Sequence, residues 1–388
     1  MYLLEHDAKE LLDRHRIPVP EGRLIGSEDT IHRAALPPGP WVIKGQISTG
    51  GRGKAGIIRK AATLQEIVDH SYAIFGAAVK GRRVNAIRIE HQMTAAKEAY
   101  LAFLIDPVAG GVRVIMSARG GMDVEALPPA LVKTDTAPPE HATLAACVQR
   151  LAAGMPGAIS WALGDAGERL ARIFLEREAL LIEINPLFVK PDGSWIAGDA
   201  KFVTDDNALT RQPGIRDLLE RRAAAYPEVA LKLKHGCDYV VVDPDGEIGL
   251  LTTGAGLSMM LIDELRVAGL KPYNFLDVRT GGLRGETVRL VNVLNWIAEG
   301  PRVRVLLVNI FAGITDLGEF SQLFVTALLE VPRFNVPVVA RLVGNGLPAA
   351  RDVLSQAGIK LYTELDDAVA EARRHLNGGS RRTVPGEA

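Results

Sequence analysis

The chain has 388 residues, of which 47% are hydrophobic and 23% charged, and its formal net charge is −1. This length predicts two or three domains, each large enough to bury its own core. The near-neutral charge provides no basic field for nucleic acid or for an anionic membrane, so neither is an expected partner.

The N-terminus and the cysteines predict a cytoplasmic protein. The opening segment MYLLEHDAKELLDRH carries charges throughout and has no apolar stretch of signal-peptide length. No run in the chain approaches the roughly 20 apolar residues that span a membrane. Cys147 and Cys237 lie far apart without metal-binding spacing, which indicates two buried thiols in a reducing compartment.

The first half of the chain mixes predicted hairpins with predicted helices. In chain order the pattern predicts a helix at 3–15, strands at 41–44, 84–90, 99–106 and 111–117, and mostly helix at 141–180. The strands at 99–106 and 111–117 are joined by a short turn and predict a hairpin. This mixture favours an α+β arrangement over a parallel doubly wound sheet for the first half.

The pattern changes after about residue 235. Short aliphatic strands now alternate with helical stretches, and glycines stand at the strand ends; the predicted strands are 239–242, 248–251, 303–308 and 336–340. Such repetition is typical of a parallel α/β sheet that binds ligands at the carboxyl ends of its strands. We predict a first domain over 1–230, a second over 236–377 and a disordered tail over 378–388.

One predicted hairpin in the first half carries candidate metal ligands. Two strand-like runs, Ile182–Pro186 and Gly198–Lys201, flank a Pro-Asp-Gly turn, and their pairing would bring Asn185 and Asp199 together. A carboxylate beside an amide oxygen suits Mg²⁺, which takes its remaining ligands from water and substrate phosphates. Glu183 alternates with Asn185 out of the same apolar strand.

The glycine run Gly50–Gly56 is a candidate phosphate-binding segment. Glycines allow close approach of the backbone to phosphates, and positive charge surrounds the run at Lys44, Arg52 and Lys54. A P-loop frame would need glycine at position 48 and serine or threonine at position 55, so a glycine-rich hairpin is favoured. A mobile surface turn is an equally good interpretation of this run alone.

Other polar positions are less specific. Glu90 ends a predicted strand, and Glu98 lies eight residues later beside Lys97. A strand-end carboxylate can bind a nucleoside, but exposed charge at the rim of a fold is the commoner case for each. Two glycine-containing turns, Thr253–Ser258 and Asn309–Thr315, follow adjoining predicted strands, and amides at a helix N-terminus bind anions. None of the histidines stands in a glycine-rich turn that would display a nucleophile.

Taken together, the motifs resemble the β subunit of the succinyl-CoA synthetase family, the ADP-forming acid–CoA ligases. The resemblance covers nearly the whole chain, and its motifs occur in the family's order: WVIKGQ, GGRGKAG, IEINPL, GDAKF, DDNAL, GAGL, NFLDV and VNIFAGI. It implies an N-terminal ATP-grasp region followed by a flavodoxin-like CoA-ligase domain.

The resemblance also assigns roles to residues. It implies nucleotide binding, of ATP or GTP, by Lys44, Gly51, Arg52, Gly53, Glu90 and Glu98. Asn185 and Asp199 would hold Mg²⁺, and Glu183 would stand near a phosphorylated histidine. The acid substrate would meet Thr253, Gly313, Ile314 and Thr315. The histidine and most of the CoA site lie on an α subunit, so the implied assembly is a heterodimer or heterotetramer.

Departures from the family pattern leave the acid open. Thr253 stands where the family has asparagine, and Asp316–Gly318 replaces a common Arg-Cys-Asp. The segments around Ser117–Asp123 and Phe311–Gly313 look more like the malate–CoA ligase branch. Succinate is ranked first, and malate is the alternative. A single-chain carboxylate–amine ligase and a non-catalytic nucleotide-binding paralogue are further alternatives.

Overall fold

The computed structural model describes residues 1–29, 31, 36–79, 82–94, 97–278, 285–313 and 315–378. Contacts divide the chain into two compact units, Met1–Arg221 (unit 1) and Arg222–Ala388 (unit 2). The domain limits at 230 and 236 stay a prediction. Gly378 ends the last helix, and the rest of the predicted disordered tail lies outside the described residues.

Unit 1 contains five α-helices and twelve strands within the described ranges. The helices are α1 (Glu5–Arg14), α2 (Leu64–Ile74), α3 (His141–Ala153), α4 (Gly157–Glu176) and α5 (Pro213–Arg221). The first strands are β1 (Gly22–Gly26), β2 (Trp41–Gln46), β3 (Ile58–Ala61), β4 (Ala78–Val79), β5 (Arg82–Arg83) and β6 (Ala86–His91). The next are β7 (Lys97–Asp106), β8 (Gly111–Ser117), β9 (Val132–Ala137), β10 (Ala179–Val189), β11 (Trp195–Ala197) and β12 (Ala200–Thr204).

Two larger antiparallel sheets organise unit 1. The first has the strand order β1-β6-β2-β3, and the second has the order β11-β10-β7-β8-β9 with β12 also paired to β10. In the first sheet, alternate apolar side chains of β2 and β6 form a core with the apolar side of α2, which supplies Ile67 and Ile74. The α+β expectation and the hairpin of β7 with β8 are both confirmed.

Unit 2 alternates strands with helices. Its helices are α6 (Pro227–His235), α7 (Ala255–Val267), α8 (Val288–Ile297), α9 (Leu317–Glu330), α10 (Leu347–Gln356) and α11 (Leu365–Gly378). Its strands are β13 (Asp238–Val241), β14 (Ile248–Thr252), β15 (Asn274–Asp277), β16 (Val305–Ala312), β17 (Val338–Gly344) and β18 (Leu361–Tyr362).

A parallel sheet of order β14-β16-β17-β18 forms the centre of unit 2. Along β16, Leu306 and Val308 face a core supplied by α8, α9 and α10, whereas Val305 and Leu307 face a second core supplied by α7 and α11. Because both faces are covered, the strands are mainly aliphatic. The predicted parallel α/β sheet is confirmed for these strands.

One strand of unit 2 departs from the prediction. The run at 239–242 was expected to belong to the parallel sheet, but β13 pairs antiparallel with β15, in a separate two-stranded sheet. A short aliphatic strand has the same pattern in either pairing, so periodicity could not distinguish them. Among the described residues, no helix is long and apolar enough to cross a membrane.

Candidate functional site

A cavity of about 1330 Å³ in unit 1 gathers nine of the predicted site residues. They are Lys44, Gly51, Arg52, Gly53, Glu90, Glu98, Glu183, Asn185 and Asp199. They come from the two larger sheets of the unit and from the loop between β2 and β3, and lie as much as 155 positions apart in the sequence (199 − 44). The antiparallel pairing of β2 with β3 confirms that the glycine run closes a hairpin.

The ammonium of Lys44 lies inside a cluster of buried charges. Its Nζ is 2.7 Å from Oε1 of Glu5 and 2.7 Å from Oε1 of Glu90, and it donates to the carbonyl oxygen of Gly198 at 2.9 Å. Burial disfavours the charged ammonium, but the carboxylates of Glu5, Glu90 and Asp199 outweigh this and raise the pKa of Lys44. Lys44 therefore stays positive at neutral pH.

Glu90 is not the exposed rim charge that the sequence favoured. Its side chain is 3% exposed and contacts three cations: Lys44, Lys9 at 2.7 Å and Arg88 at 2.7 Å. Burial alone would raise the pKa of Glu90, but Lys44 and Lys9 outweigh burial and lower it. The carboxylate can be buried because cations from α1, from β2 and from its own strand surround it, which strand periodicity does not reveal.

Glu5 and Lys9, both on α1, are site residues that sequence reasoning missed. Lys9 Nζ lies 2.7 Å from Glu5, 2.7 Å from Glu90 and 2.7 Å from the carbonyl oxygen of Gly198. Burial raises the pKa of Glu5, but Lys44, Lys9 and Arg52 outweigh it and hold the pKa well below its usual range. One signal was available: Glu5 lies on the same helical face as Ala8 and Leu12, where a solvated charge does not belong.

Arg52 extends from the glycine run across the cavity. Its Nη1 donates to Oε2 of Glu5 at 2.5 Å, and its Nη2 donates to both carboxylate oxygens of Asp199, at 2.7 and 2.9 Å. Burial opposes the charge of this guanidinium, but Asp199 and Glu5 raise its pKa. The side chain is 12% exposed, so these charge-assisted hydrogen bonds are largely shielded from water.

The pairing of β10 with β12 brings Asn185 beside Asp199. Ile184 is opposite Ala200, and the amide of Asn185 donates to the carbonyl oxygen of Asp199 at 3.3 Å. The Asn185 side chain accepts from the amide of Gly121 at 2.7 Å. The predicted proximity is confirmed. The two side chains offer oxygen ligands, and the Asp199 carboxylate already binds the cationic guanidinium of Arg52. The chemistry of the pair therefore fits Mg²⁺.

Glu183 and Glu98 flank this pair. Glu183 lies two residues before Asn185 on β10 and faces Lys201 across the strand pair, with an Nζ–Oε2 distance of 3.4 Å. Glu98 lies at the start of β7 and is exposed. A Cβ on Gly121 would meet Glu98 Oε2 at 1.8 Å, so this glycine allows the carboxylate to approach the loop.

The other predicted site residues belong to unit 2. Thr253 directly follows β14, and Gly313 and Thr315 follow β16. These strands pair in parallel with Thr252 opposite Asn309, so the two turns meet at one edge of the sheet, as expected. Ile314 lies outside the described residues. The carboxylate of Asp277 accepts from the amide of Gly254 at 2.8 Å and so occupies one of the donors counted as anion-binding.

Comparisons with known proteins match the two parts of the chain to different families. Residues 2–189 match the ATP-grasp domain family, and residues 251–375 match the CoA-ligase family. A nucleotide-binding unit followed by a CoA-ligase unit defines the class of acid–CoA ligase subunits.

The curated relatives identify the family. The chain is 33% identical to the succinate–CoA ligase [ADP-forming] subunit beta of Desulfurococcus amylolyticus, over 97% of this chain and 100% of that one. It is 36% identical to subunit beta 1 of Archaeoglobus fulgidus, over 99% of each chain. The chain belongs to the family of ADP-forming succinate–CoA ligase β subunits.

A solved structure has the same fold. The ATP citrate lyase of Methanothrix soehngenii, in complex with citrate and coenzyme A, superimposes with a TM-score of 0.71 at 19% identity, over 96% of this chain and 99% of that one. At this identity the likeness concerns the fold alone.

Proposed function

We propose that the chain is the β subunit of a two-subunit, ADP-forming acid–CoA ligase, and that the cavity of unit 1 binds ATP with Mg²⁺. The observation that carries the proposal is the geometry around Arg52 and Asp199. A glycine-rich hairpin with two buried cations faces a carboxylate and an amide oxygen across a single cavity. Such a site neutralises phosphate charge on one side and holds a divalent cation on the other.

The cations Lys44 and Arg52 bind the phosphates in this proposal. Both remain charged at neutral pH, because neighbouring carboxylates raise the pKa of each. Gly51 has a φ of +93°, and no atom lies within 4 Å of where its Cβ would stand, so the backbone there is open to a phosphate. Glu98 at the cavity edge is available to the nucleoside.

Asn185 and Asp199 hold the magnesium ion. When bound, Mg²⁺ supplies charge neutralisation on the phosphate oxygens. Asp199 would bind the metal in place of Arg52, which would leave the guanidinium of Arg52 available to the phosphates. Glu183 lies two residues before Asn185 on β10, so the two side chains are on the same face of the strand. In this proposal Glu183 orients the incoming phosphoryl acceptor.

The acceptor is proposed to be a histidine of an α subunit. One histidine of this chain, His91, lines the cavity, and its Nδ1 lies 2.8 Å from the carbonyl oxygen of Pro38. The resemblance to the ligase family implies a phosphohistidine on the partner, which supports leaving His91 without this role. The phosphoryl group would then pass from the histidine to the carboxylate of the acid, and attack of the CoA thiol on this acyl phosphate would form the thioester and release inorganic phosphate.

Succinate is the acid that the relatives' names support, and the turns at Thr253 and at Gly313 and Thr315 are the proposed acid site. Thr253 is 9% exposed at the end of β14. Malate stays the alternative, because the segments Ser117–Asp123 and Phe311–Gly313 look more like the malate–CoA ligase branch.

The test is reconstitution with an α subunit of the same family. We expect ADP formation from ATP, Mg²⁺, CoA and succinate or malate with both chains present, and none with this chain alone. A His91→Ala variant is the matched control and should retain turnover. Phosphorylation of this chain alone, abolished in His91→Ala, would overturn the proposal, as would a reconstituted pair that turns over neither acid.

A further inference from the structure

The carboxylate of Glu5 lies behind the two cations proposed to bind phosphates. Its Oε1 accepts from Lys44 Nζ at 2.7 Å, and its Oε2 accepts from Arg52 Nη1 at 2.5 Å. The Glu5 side chain is 0% exposed, so both interactions are dry and strong. The buried carboxylate of Glu5 on α1 therefore links Lys44 on β2 to Arg52 in the glycine run.

Of these two cations, Arg52 is the one whose position no strand fixes, because it lies in the glycine run. The hydrogen bonds from Ala55 to Gly51 and from Gly56 to Gly53 close within the glycine run itself. The Arg52 side chain, in contrast, reaches out of the run to α1 and to the residue before β12. Because glycine backbones are conformationally permissive, such side-chain anchors restrict where the run can go.

The two anchors of Arg52 differ in what happens when nucleotide binds. Asp199 is the proposed metal ligand and cannot keep both oxygens on Arg52 while it holds Mg²⁺. Glu5 borders the cavity with a side chain that is 0% exposed, beside Lys9 at 2.7 Å, and is not a proposed ligand of metal or nucleotide. The Glu5–Arg52 pair can therefore persist in the loaded site.

We propose that Glu5 is a positioning residue for nucleotide binding, which holds the Lys44 ammonium and the Arg52 guanidinium at a fixed spacing so that both face the phosphates of ATP. The inference rests on the proposed ATP site of unit 1. In this role Glu5 acts through the two cations, whose charged groups it contacts. Cations that are already ordered need not lose side-chain freedom when the phosphates arrive.

The test measures the dissociation constant of Mg·ATP for the full chain by calorimetry. We expect Glu5→Gln to weaken binding about tenfold, the loss associated with one charge-assisted interaction. The matched control is Glu10→Gln on the same helix, whose carboxylate pairs with exposed Arg14 at 2.5 Å; it should bind as the wild type does.

A double-mutant cycle separates positioning from general destabilisation. If Glu5 acts through Arg52, Glu5→Gln must cause a smaller fold-change in an Arg52→Met background than in the wild type. A purely structural role would give the same fold-change in both backgrounds, and this additivity would overturn the inference.

Loss of a buried carboxylate can prevent folding, because it leaves unbalanced charge. Glu5→Gln/Lys9→Met removes one charge of each sign and keeps the net charge of the cluster, so it serves if the single variant does not fold. A folded variant with unchanged binding, or failure of both variants to fold, overturns the positioning role. Absence of Mg·ATP binding by the wild-type chain instead contradicts the proposed function itself.

Discussion

The guanidinium of Arg52 lies on the carboxylate of Asp199, with Nη2 at 2.7 Å from Oδ1 and 2.9 Å from Oδ2. A positive charge thus already occupies the carboxylate that is proposed to hold Mg²⁺. In the proposed site, the metal and Arg52 would compete for the Asp199 carboxylate. Bound nucleotide would end this competition, because its phosphates can pair with the guanidinium of Arg52.

Removing Arg52 should separate metal binding from nucleotide binding. In Arg52→Met, we expect the free chain to bind Mn²⁺, used as the probe, severalfold more tightly, because Asp199 loses its competitor. Binding of ATP should weaken about tenfold, since a charged contact to phosphate is lost. Electron paramagnetic resonance measures the first constant and calorimetry the second. Arg23→Met is the control, because Arg23 is an exposed arginine on β1; a parallel fall in both affinities for Arg52→Met would contradict the competition.

The hairpin of β7 with β8 should depend on pH through Asp106. The amide of Ala109 and the guanidinium of Arg113 donate to this carboxylate and lower its pKa from the usual 3.8. Since the unfolded chain binds the proton more readily, the stabilisation is complete above pH 3.8 and is lost as pH falls through the native pKa. We expect Asp106→Asn to lower the urea midpoint at neutral pH, and the difference from wild type to shrink below pH 3.8. A difference that does not change with pH would contradict the assignment.

The part of the site that the sequence could predict is the part made by local pairing. Asn185 and Asp199 flank a single short turn, so hairpin formation is enough to place them together. The glycine run is likewise local, because β2 and β3 lie on either side of it. In unit 2, glycine turns after aliphatic strands predicted the shared edge of β14 and β16.

What escaped prediction depends on contacts between distant segments. Glu90 is buried among three cations, and one of them, Lys9, comes from α1, 81 positions away in the sequence. The pairing of β13 with β15 is also non-local, and a four-residue aliphatic strand does not encode its direction. The sequence pattern therefore identified the strands that carry the site residues, but not the buried charges that contact those residues.

Asp316 should act as a helix cap. Its Oδ1 accepts from the amide of Glu319 at 3.0 Å at the start of α9, although the position departs from the family pattern. We expect Asp316→Ala to cost about 1 kcal/mol of unfolding free energy, and Asp316→Ser, which can also cap, to cost less. Both variants should keep the KM for the acid in the reconstituted ligase. A selective rise in that KM would show that Asp316 contacts the acid.

Gly121 should be needed both for its backbone conformation and for the space that it leaves. It has a φ of +72°, and a Cβ there would stand 1.8 Å from Oε2 of Glu98. Its amide also donates to Oδ1 of Asn185 at 2.7 Å, so a shift of this loop reaches a proposed metal ligand. We expect Gly121→Ala to lower the free energy of unfolding by about 1 kcal/mol through the left-handed backbone and, in addition, to weaken Mg·ATP binding.

The matched control is Gly110→Ala in the turn between β7 and β8. Gly110 has a similar φ of +67°, but no atom lies within 4 Å of its Cβ position. It should therefore share the loss of unfolding free energy, measured in urea, while its Mg·ATP dissociation constant matches the wild type. The difference in binding between the two variants isolates the contact of Gly121 with Glu98 and Asn185. Equal binding by both would mean that this loop can move without disturbing the nucleotide and metal ligands beside it.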